Sequence, residues 1–150
     1  MTNLYTLLLA HHELVAQARD DMSESEETST RELGRRLIDE FGTGWSRGKV
    51  ALIMGVFSAE PTFQESPFSE PIRGTRAVSE YWADVPMNQA EITFVSGEIF
   101  AAGPWFSTEF KCTFRRRRTG EWVDTRGALF CETEGGLISE MRMYWHRVPA

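Results

Sequence analysis

The sequence is poor in cysteine, in basic charge and in long apolar runs, and each shortage removes a class of function. Its 150 residues include two cysteines, Cys112 and Cys131, at no spacing that suits a metal site or a redox pair. Both are expected to be plain strand residues in a reducing cytoplasm. Asp and Glu outnumber Lys and Arg by 22 to 16, and the net charge of −6 has the wrong sign for nucleic acid or an anionic membrane surface. No window approaches the ~18 apolar residues of a spanning helix. The opening MTNLYTLLLAHHELV has neither the basic start nor the small-residue cleavage site of a signal peptide. No internal repeat and no dinucleotide-type glycine pattern occurs. The expectation is a cytoplasmic chain that uses no metal and no cofactor.

Large aromatic side chains are what the chain does have. Ten Phe and five Trp suit a wide interior lined by flat rings. The length fits one domain with a substantial core. Leu4, Leu7, Leu8, His11, Leu14, Val15 and Ala18 recur at i, i+3, i+4 and i+7, which predicts an amphipathic helix over residues 3–19. Its stripe must be buried against the main domain or a partner subunit, with His11 as a packing histidine and His12 exposed. The acidic run DDMSESEETST, residues 20–30, predicts a solvated linker. Residues 1–29 thus read as a helical arm with its linker, and 30–150 as the domain.

Within the domain, Ser29-Thr30-Arg31-Glu32 forms a capping box that predicts a new helix. Leu33, Leu37, Ile38 and Phe41 give its buried face, and Gly42 and Gly44 its stop. A short helix with Val50, Ile53, Val56 and Phe57 inward precedes a strand at Thr62–Glu65. A loop framed by Pro67 and Pro71 leads to a helix that starts at Gly74-Thr75, buries Ala77, Val78, Tyr81, Trp82 and Val85, and ends at Pro86. From Glu91 the period shifts towards two. Strands are expected near 91–101, 105–117, 121–133 and 137–148, with turns at Gly103-Pro104, Thr119-Gly120 and Gly135-Gly136. Helices followed by long antiparallel strands predict an α+β domain in which a curved sheet wraps around helices.

The segment FSAEPTFQESPFSEPIRGTRAVSEYW, Phe57 to Trp82, sets one carboxylate, Glu65, on a short strand before a proline loop and a lid helix. That order resembles the pocket wall of the nuclear transport factor 2-like superfamily, in its SnoaL-like and ketosteroid isomerase-like branches. The closing stretch GLISEMRMYW, Gly136 to Trp145, is similar to that family's last strand, and the resemblance covers roughly residues 30–148. It implies a cone-shaped, cystatin-like α+β barrel with an extra N-terminal helix and a cofactor-free pocket for a hydrophobic small molecule, while Trp105, Val123, Thr125 and Leu129, expected on the outward faces, offer apolar surface for a homodimer formed through the outer sheet face. Glu65 stands where the family's strand carboxylate moves a proton at carbon. The isomerases add a tyrosine and a protonated aspartate as oxyanion donors. Phe41 and Ala128 occupy those positions here and donate nothing. The hydrolase branch's Asp-Arg-Asp set matches Phe110, Cys112 and Met143, and the histidines, His11, His12 and His146, do not match a dehydratase site.

With strand pairing as in the family, alternation points Phe106, Thr108, Phe110, Cys112 and Phe114 into the cone from one strand. The same parity sends Trp122, Asp124, Arg126, Ala128 and Phe130 inward from the next, and Met141, Met143 and Trp145 from the last. With Phe41, Phe63 and Trp82 these make an apolar pocket whose charges are Glu65, Arg126 and Asp124. Glu65 is the expected base, with Arg126 as its partner. The run Arg115-Arg116-Arg117-Arg118 reads as a solvated hairpin tip, and the parity of His146 turns it away from the cone.

Overall fold

The computed structural model describes the backbone of residues 4–150 and the side chains from Thr6 onward, so Leu4 of the stripe lies outside the described side chains. The first element, α1, is one continuous helix of 44 residues, Leu4–Arg47. No linker interrupts it: the acidic run 20–30 is helical, and the Ser29–Glu32 box is not a helix start. Glutamate is a good helix former, and its repulsions are relieved by full exposure. Residues 6–26 are exposed throughout, His11 and His12 included, so neither the Leu stripe nor His11 packs on the domain. From Thr30 onward the helix is docked. The Thr30 hydroxyl donates to the Gly103 carbonyl at 2.7 Å, and Leu37, Ile38, Phe41 and Trp45 follow at helical spacing in the core.

Gly42 and Gly44 do not stop α1. They are places of close approach: a Cβ at Gly42 would collide with the Phe94 ring, at 2.8 Å from Cε1, and one at Gly44 would lie 2.8 Å from Ile53 Cγ1. The chain turns instead at Gly48, whose φ is +62°. A short helix, α2 (Val50–Met54), leads into β1 (Phe57–Gln64), so Phe57 opens a strand and Glu65 lies just beyond its end. After β2 (Ile72–Arg73), α3 spans Thr75–Asn88 and carries Pro86 in its last turn. The expected strand at 91–101 is two strands, β3 (Gln89–Ser96) and β4 (Phe100–Ala102). The long strands are β5 (Trp105–Arg116), β6 (Trp122–Glu134) and β7 (Leu137–Pro149).

These strands form one curved, unclosed seven-stranded sheet in the order β2-β1-β7-β6-β5-β3, with β4 beside β5. β1 runs parallel to β7, and the other pairs are antiparallel. The helices cover the concave face as the α+β expectation requires, and α1, α3 and the inner faces of β5, β6 and β7 share one core.

Register decides what that face presents. Cys112 of β5 pairs with Thr125 of β6, so the inward side chains of β6 are Val123, Thr125, Leu129 and Cys131. The parity expected for β6 is therefore reversed. Asp124, Arg126 and Ala128 stand on the outer face with Trp122 and Phe130. This keeps the Asp124–Arg126 pair in solvent and off the ring-packed middle of the concave face.

Candidate active site

Most of the cone is solid. Phe41, Trp45, Phe63, Tyr81, Trp82, Phe94 and Phe110 form a continuous ring cluster, with Trp82 at 5.2 Å from Phe41, 5.3 Å from Trp45 and 5.4 Å from Phe63 between centroids. Phe41, Phe63, Phe106, Phe110 and Met141 are thus packing residues, each at most 3% exposed. None of them borders the cavity that remains.

That cavity has a volume of ≈ 100 Å³ and opens between the end of α1, the middle of α3, and the β6 and β7 strands. Trp45, Trp82, Val85, Phe114, Met143 and Trp145 supply its apolar wall, and Glu65, Tyr81, Gln89, Thr125 and Arg147 its polar one. Of the residues expected from the sequence, Glu65, Trp82, Phe114, Met143 and Trp145 come together here. Arg126 does not: its guanidinium grips Asp124 through two bonds of 2.9 and 3.3 Å on the outer face, with Lys111 3.7 Å from the same carboxylate. The Arg126 contact, more than Lys111, holds the Asp124 carboxyl below its usual range. No Glu65–Arg126 pair forms.

Glu65 is fixed through its backbone. Its carbonyl accepts the Trp145 indole N–H at 2.7 Å, which ties the end of β1 to the far half of β7. The indole sits inward because Gly127 lies opposite it: a Cβ there would strike the Tyr144 carbonyl and approach Trp145 Cα to 2.7 Å. Arg147 lies at the cavity with its guanidinium 5.6 Å from the Trp145 ring centroid, so a positive charge shares the site with Glu65. Trp45 is held by donation to Gln89 Oε1 at 3.0 Å.

Tyr81 and Glu65 line the same cavity. Burial first, then the charge of Glu65 and hydrogen bonding to it, push the Tyr81 pKa well above its ordinary 10.0. Tyr81 therefore remains a donor at any physiological pH. Neither cysteine belongs to this site; burial alone pushes the Cys112 thiol up to about 12, and raises Cys131 as well.

Sequence reasoning missed Tyr81, Gln89, Thr125 and Arg147 as site residues. Tyr81 was legible only as a member of the buried face of α3, and Thr125 was hidden by the reversed parity of β6. His146 stands on the outer face, as its parity implies. The arginine run is engaged at the hairpin: Arg115 with Glu91 at 2.7 Å, Arg116 with Glu121 at 3.2 Å, and Arg117 with the Pro86 carbonyl at 2.8 Å. Among the described residues no cluster of His, Cys, Asp and Glu suits a metal ion, and no helix is long and apolar enough to cross a membrane.

The SnoaL-like domain family matches residues 38–141, most of the chain and every core element from the end of α1 to β7. The chain belongs to the SnoaL-like domain family. Its fold is that of the nuclear transport factor 2-like superfamily. Among solved structures, this SnoaL-like protein is similar to a candidate isomerase from Bacillus subtilis, with TM-score 0.71, 18% identity, and 78% of this chain and 88% of that one covered. A candidate SnoaL-like polyketide cyclase from Jannaschia sp. CCS1 gives TM-score 0.68 at 17% identity, covering 80% and 87%. A Mycobacterium tuberculosis protein in complex with estradiol-17beta-hemisuccinate gives 0.66 at 15%, covering 77% and 98%. At these identities the likeness is one of fold. No curated protein matches the sequence.

Proposed function

We propose that this SnoaL-like protein is a cofactor-free isomerase, cyclase or lyase that moves a proton at carbon in a hydrophobic substrate, with the Glu65 carboxylate as base. The observation that carries this reading is a single carboxylate in the wall of a cavity lined by both rings and polar side chains, beside a phenol that stays protonated. A base held in a cavity wall, where a substrate can be positioned against it, is effective. Tyr81, a standing donor, orients the carboxylate, and Arg147 balances its charge. The ≈ 100 Å³ cavity takes the reacting end of the substrate, not the whole of a steroid or terpenoid body. The larger body lies across the mouth, beside Trp145. That a protein of this fold holds a steroid derivative supports the hydrophobic substrate class.

Cyclopentanone tests this reading without knowledge of the physiological substrate. In D2O the wild-type chain exchanges the α-hydrogens of the ketone, followed by NMR. Glu65→Gln slows that exchange about 100-fold or more while the melting temperature stays within about 2 °C. Exchange at the wild-type rate in Glu65→Gln removes Glu65 from the role of base. A second reading, ligand binding without turnover, is favoured by Phe41, which stands in the ring cluster where the isomerases have a donor. It predicts a tightly retained ligand that is recovered unchanged.

The chain is further proposed to be a homodimer that pairs through the outer sheet face. Trp105, Phe130, Arg142 and Tyr144 surround a shallow depression there, with Phe130 and Tyr144 edge to face at 5.6 Å.

A further inference from the structure

The far half of β7 carries a cation to the mouth of the cavity. Alternation along this strand puts Met141, Met143, Trp145 and Arg147 on the concave face. Exposure rises in that order, from the buried methionines through half-buried Trp145 to exposed Arg147. Arg147 pairs with Thr125 of β6, which is buried and borders the cavity. Arg147 therefore stands at the rim, with its guanidinium 5.6 Å from the centre of the Trp145 ring that walls the cavity.

That ring is a fixed shelf. The Glu65 carbonyl holds its N–H at 2.7 Å, and Gly127 leaves it room from the neighbouring strand. A guanidinium resting on an anchored ring has little freedom left to lose, and its planar fork of donors suits a carboxylate. Nothing in the chain uses that fork for an ion pair. The ion pairs among the described residues engage six other arginines and Lys111, and none includes Arg147. Arg147 is also the one basic residue among those bordering the cavity, and it offsets the Glu65 charge from across the indole without pairing with it.

These two charges sort a guest by its polarity. A negative group inside the cavity meets Glu65, where repulsion and desolvation act together against it. At the rim the same group meets an exposed guanidinium and keeps part of its water. The chain as a whole, at −6, repels anions, so attraction here is local to Arg147. The ≈ 100 Å³ interior admits only the head of a larger molecule, and the rest must lie across the rim.

We propose that Arg147 is a specificity residue that binds a carboxylate on the outer end of the substrate. The substrate class is then an amphipathic acid, with its neutral head in the cavity and its anionic end on the Trp145–Arg147 shelf. This rests on the reading of the cavity as the substrate site, and it stands or falls separately from the role of Glu65 as base.

The test uses two ketones of matching shape, 3-oxocyclopentaneacetate and its uncharged primary amide, titrated at low salt into the ¹⁵N-labelled full-length chain. The reporter is the Trp145 indole resonance, identified by its loss in Trp145→Phe. The wild type should bind the acid about tenfold more tightly than the amide, and about 0.5 M salt should cut that preference to about threefold. In Arg147→Gln the two affinities should agree to within about twofold, while Arg126→Gln, altered on the outer face, should keep the tenfold preference. Equal affinities in the wild type overturn the proposal. A preference that survives Arg147→Gln, or that Arg126→Gln also removes, overturns it as well, the second by assigning the effect to overall charge. Failure of both probes to move the Trp145 signal overturns it too, because no ketone head then enters the cavity. Deuterium exchange at the carbons beside the ketone, followed in the same samples, reports on Glu65 alone. Preference without exchange removes the base and leaves the shelf, and exchange without preference does the reverse.

Discussion

Gly127 shows how one residue shapes the site without touching a guest. It faces the concave side of β6 directly opposite Trp145, and any Cβ there meets the β7 backbone at Tyr144 and Trp145. Backbone cannot swing aside as a flexible side chain can, so Gly127→Ala must part the two strands. The expected cost is about 2 kcal/mol or more, read as a lower urea midpoint, together with loss of the 2.7 Å Trp145–Glu65 tether. A midpoint equal to wild type contradicts that account. The buried thiols and Tyr81 set a second residue-scale behaviour. Burial pushes the Cys112 thiol up to about 12 from an ordinary 9.0, and Cys131 and Tyr81 are raised as well. A raised folded pKa gives stability that is whole below the unfolded value and lost as pH climbs toward the folded one. The urea midpoint should therefore hold near about pH 8 and fall between about pH 9 and 12, and Cys112→Ala should flatten that fall.

At the scale of elements, what the sequence made legible was what nearby residues decide. Gly103, Gly120, Gly135 and Gly136 all have positive φ, a requirement local to each turn, and the long strands begin and end where those turns imply. The place of Glu65 in the cavity wall was legible too, because it directly follows β1, the strand that runs beside β7 in that wall. Determinants that lie across the fold were not. Gly42 looks like a helix stop until Phe94, from a strand some fifty residues later, is seen resting on it. β6 is apolar on both faces, with Trp122 and Phe130 on one and Val123, Leu129 and Cys131 on the other. Alternation alone therefore could not orient it; pairing with β5 does. Turning β6 over removed Arg126 and Asp124 from the pocket and put Thr125 into it. The arm misled in the opposite direction: an acidic, aperiodic stretch reads as a linker, but good helix propensity and the docked helix beyond it extend α1 without a break.

For the whole molecule, the sheet divides its aromatics between an inner face packed into the core and an outer face left open. Phe130 is 44% exposed and Tyr144 39%, with Arg142 5.1 Å from the Trp105 ring centroid beside them, and Trp122, 42% exposed, lies at the other end of β6. Exposed rings clustered on one sheet face are a usual interface feature, and a two-fold pairing of two such faces covers each copy's rings with the other's. The exposed leucines of α1, Leu7, Leu8 and Leu14, offer a rival surface on the same chain. Sedimentation velocity separates the two. If the sheet face is the interface, wild type sediments as a dimer, Phe130→Glu sediments as a monomer because it sets a charge in the middle of the paired rings, and a chain lacking residues 1–26 stays dimeric. Phe130 lies on the convex side, away from the cavity, so the variant should still exchange the α-hydrogens of cyclopentanone at close to the wild-type rate. A dimer that survives Phe130→Glu but dissociates on removal of residues 1–26 assigns the contact to the helical arm instead.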